Sequence, residues 1–272
     1  ARRRPRSAGL NAAARIARDT VSTARFCYRR AFVPDAPVGG ALPCRQQLDR
    51  RGNMFNFSAL HYLHQWLTLD RPYVEAARAN TLTLPDLSEY LQRYEARRSI
   101  PGNGFAVLAP VWAQISAMNL QNNNVATAVD GCAQVLSQRL NRRFLSAITK
   151  AAWMKHGHPV AIYDSRARAA LRHGGANFQD NDYVTYHQEW MNYFESSPVQ
   201  FALNSACRFV PTSCFARRLI ANGAATQQDI VTCSSSDWFR NRVVDIRLFF
   251  LAGHDRVPKA NLARLLGSGE RA

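Results

Sequence analysis

Residues 148–166 read "ITKAAWMKHGHPVAIYDSR". Ile148 to Lys155 is an unbroken run of residues compatible with a helix. "HGHP" at 156–159 ends it, because Gly and Pro punctuate a helical pattern. "VAIY" at 160–163 is short, apolar and suited to extended backbone. Asp164 then stands where a helix N-cap belongs, ahead of "SRARAALRH". The order is helix, break, extended step, helix. No alternating run long enough for a sheet occurs elsewhere, so this stretch fixes the fold class as all-α.

The same helical period recurs on both sides. Leu87, Tyr90, Leu91 and Tyr94 follow i, i+3, i+4, i+7 behind Pro85 and Asp86. Val125, Val129, Cys132 and Leu136 form a second stripe. Phe239, Val243, Ile246 and Phe250 form a third, with Asp237 placed to cap it. Turn signals separate these segments: "PDAPVGG" (34–40), "DRRGN" (49–53), "IPGNG" (100–104) and "RHGGANFQDND" (172–182). The expectation is a basic tail at 1–11, "ARRRPRSAGLN", followed by one all-α body over 12–272. That body would hold about ten helices in two lobes around a central cleft.

Thirty-five Lys and Arg residues oppose nineteen Asp and Glu, a net charge of +16. That excess points to a polyanionic partner, nucleic acid first. Six cysteines are scattered without a CxxC pair, which excludes a zinc ribbon and makes reduced thiols the expectation. Neither metal nor organic cofactor is implied. Residues 99–129 carry no charge after Arg98, but Pro101, Pro110, Gln114, Asn119 and "QNNN" spoil a membrane span. "ARRRPR" has no apolar leader segment, so a cytoplasmic location is expected.

Only three of the thirty-five basic side chains are lysines, at 150, 155 and 259. On a helix, Lys150 neighbours Ser146 and Ala147 one turn back and Trp153 and Met154 one turn on. No carboxylate sits at those spacings. A lysine among small and apolar groups is desolvated, which lowers its pKa from about 10.4 toward neutrality. An amine nucleophile needs that, and Arg cannot replace it because its guanidinium stays protonated. Lys150 also fits a lysine that runs its stem along a helix face. Asp164, fourteen residues on, fits a helix cap. Helix N-terminal amides also keep a carboxylate ionised, and such a group can take a proton from an amine or stabilise a developing cation.

These residues resemble a family. A helix carrying Thr149-Lys150, a short loop, an apolar extended step and an Asp opening the basic helix "DSRARAAL" are similar to the helix–hairpin–helix DNA glycosylases of the 8-oxoguanine type. The nearest likeness is to bacterial proteins of that fold, some linked to phage defence. The resemblance covers residues 120–195. It implies that Lys150 attacks C1′ of the sugar, displaces the base and forms a Schiff base. It implies that Asp164 activates the amine and steadies the sugar cation, and that Arg166 contacts phosphate. "NNNVATAVDGCAQVL" (122–136) resembles the segment that fills the hole left by a flipped base. The resemblance therefore places Asn122, with Asn123 and Asn124, against DNA; the run also reads as an Asn-rich turn whose last member caps the next helix.

Three departures from the family pattern stand out. Thr127 replaces an Arg, which implies little preference for cytosine opposite the target. The spacing from Asn122 to Lys150 is short. The glycine-rich hairpin before the lysine is replaced by "LNRRFLSAIT", where Arg142 and Arg143 are the candidate phosphate contacts. Phe105, Trp153, Tyr186 and His187 are the candidates for a base pocket, although the aromatic run 183–194 also reads as core. Arg242 and Asp245 read as structural.

The expected function is a DNA glycosylase with abasic-site lyase activity. It would act on double-stranded DNA carrying an oxidised purine or a modified phage base. Two alternatives stay open: a catalytically silent DNA-binding or sensor module of a phage-defence system, and an RNA-directed base-exchange accessory.

Overall fold

The computed structural model describes residues 50–96, 100, 105–120 and 124–252. The basic tail at 1–11, the "PDAPVGG" turn, Asn122 and Asn123 lie outside these residues. All the described residues belong to one unit, residues 48–272. Within them the structure is helical, with no strand.

Helix α1 (Arg50–Gln65) continues into a π-helical turn (Trp66–Asp70) and α2 (Arg71–Arg78). There follow α3 (Leu84–Arg93), α4 (Phe105–Ala117), α5 (Val125–Leu140), α6 (Leu145–His156), α7 (Ser165–His173) and α8 (Tyr183–Glu195). Helix α9 (Ser197–Phe209), a 3-10 turn (Val210–Thr212), α10 (Cys214–Ala221), α11 (Gln227–Ser235) and α12 (Asp237–Ala252) complete the described residues.

The three apolar stripes become α3, α5 and α12. Their stripe residues are buried, except Tyr94 and Phe250, which pack partly exposed against the core. Helix α3 starts at a capping box: Thr83 Oγ1 accepts from Asp86 N, and the Asp86 carboxylate accepts from Thr83 N. Asp237 differs from expectation. It is the first residue of α12 rather than the residue before it, where its charge still favours the positive helix end.

Helix α6 has no polar face. Leu145 and every residue from Ala147 to Met154 are buried. A helix that is apolar all round must be surrounded, and α2, α3, α4 and α5 all pack against α6. Helix α12 is the second buried element: it packs on α1 and α7 and carries Asn241, Arg242, Asp245 and Arg247 into the interior. Helix α7 lies between α12 and α8. The lysine and the aspartate therefore sit on elements fixed by the core rather than on free loops.

Among the described residues, no helix is long and apolar enough to cross a membrane, and no group of three His, Cys, Asp or Glu side chains is placed to hold a metal ion. Cys132, Cys207 and Cys233 are buried free thiols and Cys214 is an exposed one.

Candidate active site around Lys150 and Asp164

Lys150 is only 5% exposed. Its Nζ donates to Ser146 Oγ at 2.7 Å, one turn back on α6. A hydroxyl is a weak substitute for the several water contacts that an ammonium gives up on burial. Desolvation therefore lowers the amine from 10.5 to about 8. Asp164 opposes that fall, Arg242 adds to it, and Asp245 opposes it, in decreasing order of effect. The lysine read from sequence as desolvated is desolvated, and the aspartate fourteen residues on is one of its electrostatic neighbours.

Asp164 is the N-cap of α7. Its backbone is extended (φ −106°, ψ 144°) and its Oδ1 accepts from Arg166 N at 2.8 Å. The residue is half-buried. Helix α7 begins here because the carboxylate accepts one of the amides left free in the first helical turn.

Asp164 lines a cavity of about 450 Å³ together with Ser146, Tyr163, Arg142, Arg143 and Arg168. Ser146, the acceptor of the buried amine, thus stands on the cavity wall. It links Lys150 to the open space. The mouth is strongly cationic but partly neutralised. Arg143 forms an ion pair with Asp130 and donates to Asn181 O at 2.9 Å. Arg168 pairs with Asp180 and lies over the Tyr163 ring, 4.6 Å from its centroid. Arg142 is exposed and rests 5.9 Å from the centroid of the Phe144 ring. Arg166 is exposed on α7, 4.3 Å from the centroid of Phe249 on α12. The turn before α6 places Asn141 in the left-handed region (φ 51°), a conformation Asn tolerates better than most residues.

The aromatic candidates lie deeper. Trp153 is fully buried, edge-on to Tyr62 at 6.2 Å. Tyr186 is fully buried and donates to Ile162 O at 2.7 Å; His187 contacts Pro159 O at 2.8 Å. None of the three lines the cavity beside Asp164. Phe105 opens α4, but its side chain is outside the described part. Asn124 precedes α5 without capping it through its side chain, and its Nδ2 lies 3.5 Å from Asn119 O.

Arg242 and Asp245, read from sequence as structural, are a buried charged pair next to the site. Arg242 is ringed by Tyr62, Tyr94 and Trp153, with its Cζ 5.0 Å from the Trp153 centroid. It donates to Asp245 at 3.3 Å, and Asp245 also accepts from Trp190 Nε1 at 2.9 Å. Burial pushes the Asp245 carboxyl up to about 7, against the pull of Arg242. Asp70, bound by Tyr94 and Gln65, is raised to about 6, again by burial first. The signal was present in "RNRVVDIR": charges in a helix that is otherwise apolar must find partners inside. Ser146 was already named as a neighbour of Lys150, and Arg168 was recoverable in the same way. Each stands one helical turn from a singled-out residue, Ser146 before Lys150 and Arg168 after Asp164.

Comparison with family models, curated proteins and solved structures finds no match to this chain.

Proposed function

We propose that this protein is a DNA glycosylase with abasic-site lyase activity, acting through Lys150 as the amine nucleophile and Asp164 as its carboxylate partner. The observation that carries the reading is the buried amine of Lys150, lowered to about 8 and held by a hydroxyl on the wall of a cavity that Asp164 also lines. About a tenth of such an amine is neutral at pH 7, roughly three hundred times the fraction for an ordinary lysine. A nucleophile needs the lone pair that this lowering makes available.

In this reading the DNA backbone runs over Arg142, Arg143 and Arg166, and a modified base is extruded from the duplex. Neutral Nζ leaves Ser146 and attacks C1′; the C1′–N bond breaks and the base departs with its electron pair. The Asp164 carboxylate accepts a proton from the attacking amine and stabilises the cationic character of the sugar. The sugar ring then opens to an imine with Lys150. The net charge of +16 supplies sequence-tolerant attraction to the duplex. Two lobes with the DNA between them complete the proposal.

The test is borohydride trapping on duplex oligonucleotides that each carry one candidate base, from oxidised purines to modified phage bases. The expected result is a covalent adduct that maps to Lys150 and is absent from Lys150→Arg. A protein that binds all the duplexes, releases no base and forms no adduct is instead a silent binding module.

A further inference from the structure

Among the described residues the extended step from Pro159 to Tyr163 pairs with no strand, yet its backbone is taken up residue by residue. Pro159 O is 2.8 Å from His187 Nε2, and Val160 O accepts from Asn241 Nδ2 at 3.2 Å. Ala161 O accepts from the Tyr183 hydroxyl at 2.9 Å, and Ile162 O accepts from the Tyr186 hydroxyl at 2.7 Å. Tyr163 N donates to Thr149 Oγ1 at 3.0 Å, and the same hydroxyl donates to Leu145 O at 2.7 Å. Five consecutive residues are thus held by side chains of α6, α8 and α12. Tyr183, Tyr186, Asn241 and Thr149 are each fully buried.

The placement of the last bond is the informative one. Thr149 immediately precedes Lys150, and Tyr163 immediately precedes Asp164. One hydroxyl therefore sets the register between the helix that carries the amine and the residue that carries the carboxylate. Tyr186 restrains the adjoining residue, because Ile162 O, which also accepts from Asp164 N at 3.0 Å, is its acceptor. A buried step needs hydrogen-bond partners in any case; taking them from side chains of three helices also fixes its register against those helices.

We infer that Thr149 and Tyr186 are positioning residues for the proposed reaction: through their bonds to Tyr163 N and Ile162 O they hold the Asp164 carboxylate at a set place relative to the Lys150 amine. Neither touches the reacting atoms. The inference rests on the proposed chemistry for its purpose, but its geometry stands without it. The charged groups that face Lys150 are Asp164, ahead of α7, and Arg242 and Asp245 on α12. Asp164 directly follows Tyr163, which Thr149 holds; Arg242 directly follows Asn241, which holds Val160 O, so neither Thr149 nor Tyr186 bonds the step where Arg242 adjoins it.

The experiment reads the amine itself. The chain has three lysines, so the Cε–Hε signals in a carbon-13 NMR spectrum are few, and Lys155→Arg and Lys259→Arg assign them. The titration midpoint of Lys150 is measured in wild type, Thr149→Val, Tyr186→Phe, Asp164→Asn and the double variants. Asp164 holds the amine up, so Asp164→Asn lowers the midpoint. Thr149→Val, which keeps shape and removes the acceptor, lowers it in the same direction, and Tyr186→Phe does so to a smaller degree. In the Asp164→Asn background neither adds a further shift, and Thr149→Ser restores the wild-type midpoint. Folded variants whose Lys150 midpoint matches wild type overturn the inference, as does a shift that persists in full without Asp164. If Thr149→Val does not fold, Tyr186→Phe alone decides on the same two criteria. Failure of the glycosylase reading is separate, since it shows as no base release and no trapped adduct in wild type. Where wild type is active, Thr149→Val lowers kcat about tenfold or more with KM little changed, and this loss also vanishes in the Asp164→Asn background.

Discussion

Replacing Lys150 by methionine should make the protein more stable at neutral pH. The side chain is buried and its amine is lowered from 10.5 to about 8. At pH 7 the folded state therefore carries a penalty of about 3 kcal/mol for holding the proton. Methionine has nearly the same length, needs no hydration and adapts to an irregular site. It forfeits the bond to Ser146, about 1 kcal/mol. The net gain at pH 7 is about 2 kcal/mol. The sign of the pH dependence follows from linkage. The folded pKa lies below the unfolded one, so between pH 8 and 10.5 the unfolded wild type binds more protons than the folded protein. Wild type is thus penalised below pH 8 and recovers as pH rises through that window. By pH 10.5 the advantage of the variant has disappeared. Urea unfolding of both proteins at pH 7, 8, 9 and 10 measures this, and taking the difference cancels the titration of tyrosines common to both. A difference that does not change between pH 7 and 10, or a variant less stable at pH 7, refutes the reasoning: the lysine would then be solvated.

Adduct formation under single turnover should rise about tenfold per pH step below pH 8 and level off above it; a rate still climbing at pH 10 would show an unperturbed amine. Asp164→Asn keeps the α7 cap, because Asn caps nearly as well, so its melting temperature should stay close to wild type while base release falls by two orders of magnitude or more; full activity would leave Asp164 as a cap alone. Asp130→Asn releases Arg143 from its ion pair and should tighten duplex binding at low salt, steepening the log–log salt dependence by about one; unchanged binding in filter or anisotropy titrations would remove Arg143 from the phosphate contacts. Thr83→Ala breaks the capping box of α3 and should cost about 1 kcal/mol in denaturant unfolding with no effect on any DNA readout.

The helical stripes were legible because each is a local period: Leu87, Tyr90 and Leu91 face one way whatever they pack against. Lys150 and Asp164 stood out for a chemical reason, a lysine where nearly every cation is arginine and an acid at a helix start. What the sequence could not display is who holds the extended step. His187 and Tyr186 read as pocket wall or as core, and Tyr183 as core, because an aromatic with a polar tip suits both until its acceptor is known. Their acceptors are backbone carbonyls more than twenty residues away in the chain, and no local pattern encodes a carbonyl. The pairing of Arg143 with Asp130 was hidden for the same reason: the partners are thirteen positions apart, across a turn.

The held step has one more consequence. An extended apolar segment such as "PVAIY" is ordinarily a hazard, because its free carbonyls offer a template on which a second chain can add a strand. Here four successive carbonyls already have side-chain partners. The segment can be flat, apolar and β-prone without recruiting a neighbour, and it keeps that immunity only while α8 and α12 stay docked. Partial unfolding that lifts α8 away would expose the step with its acceptors empty, so self-association under mild denaturation should begin at residues 159–163.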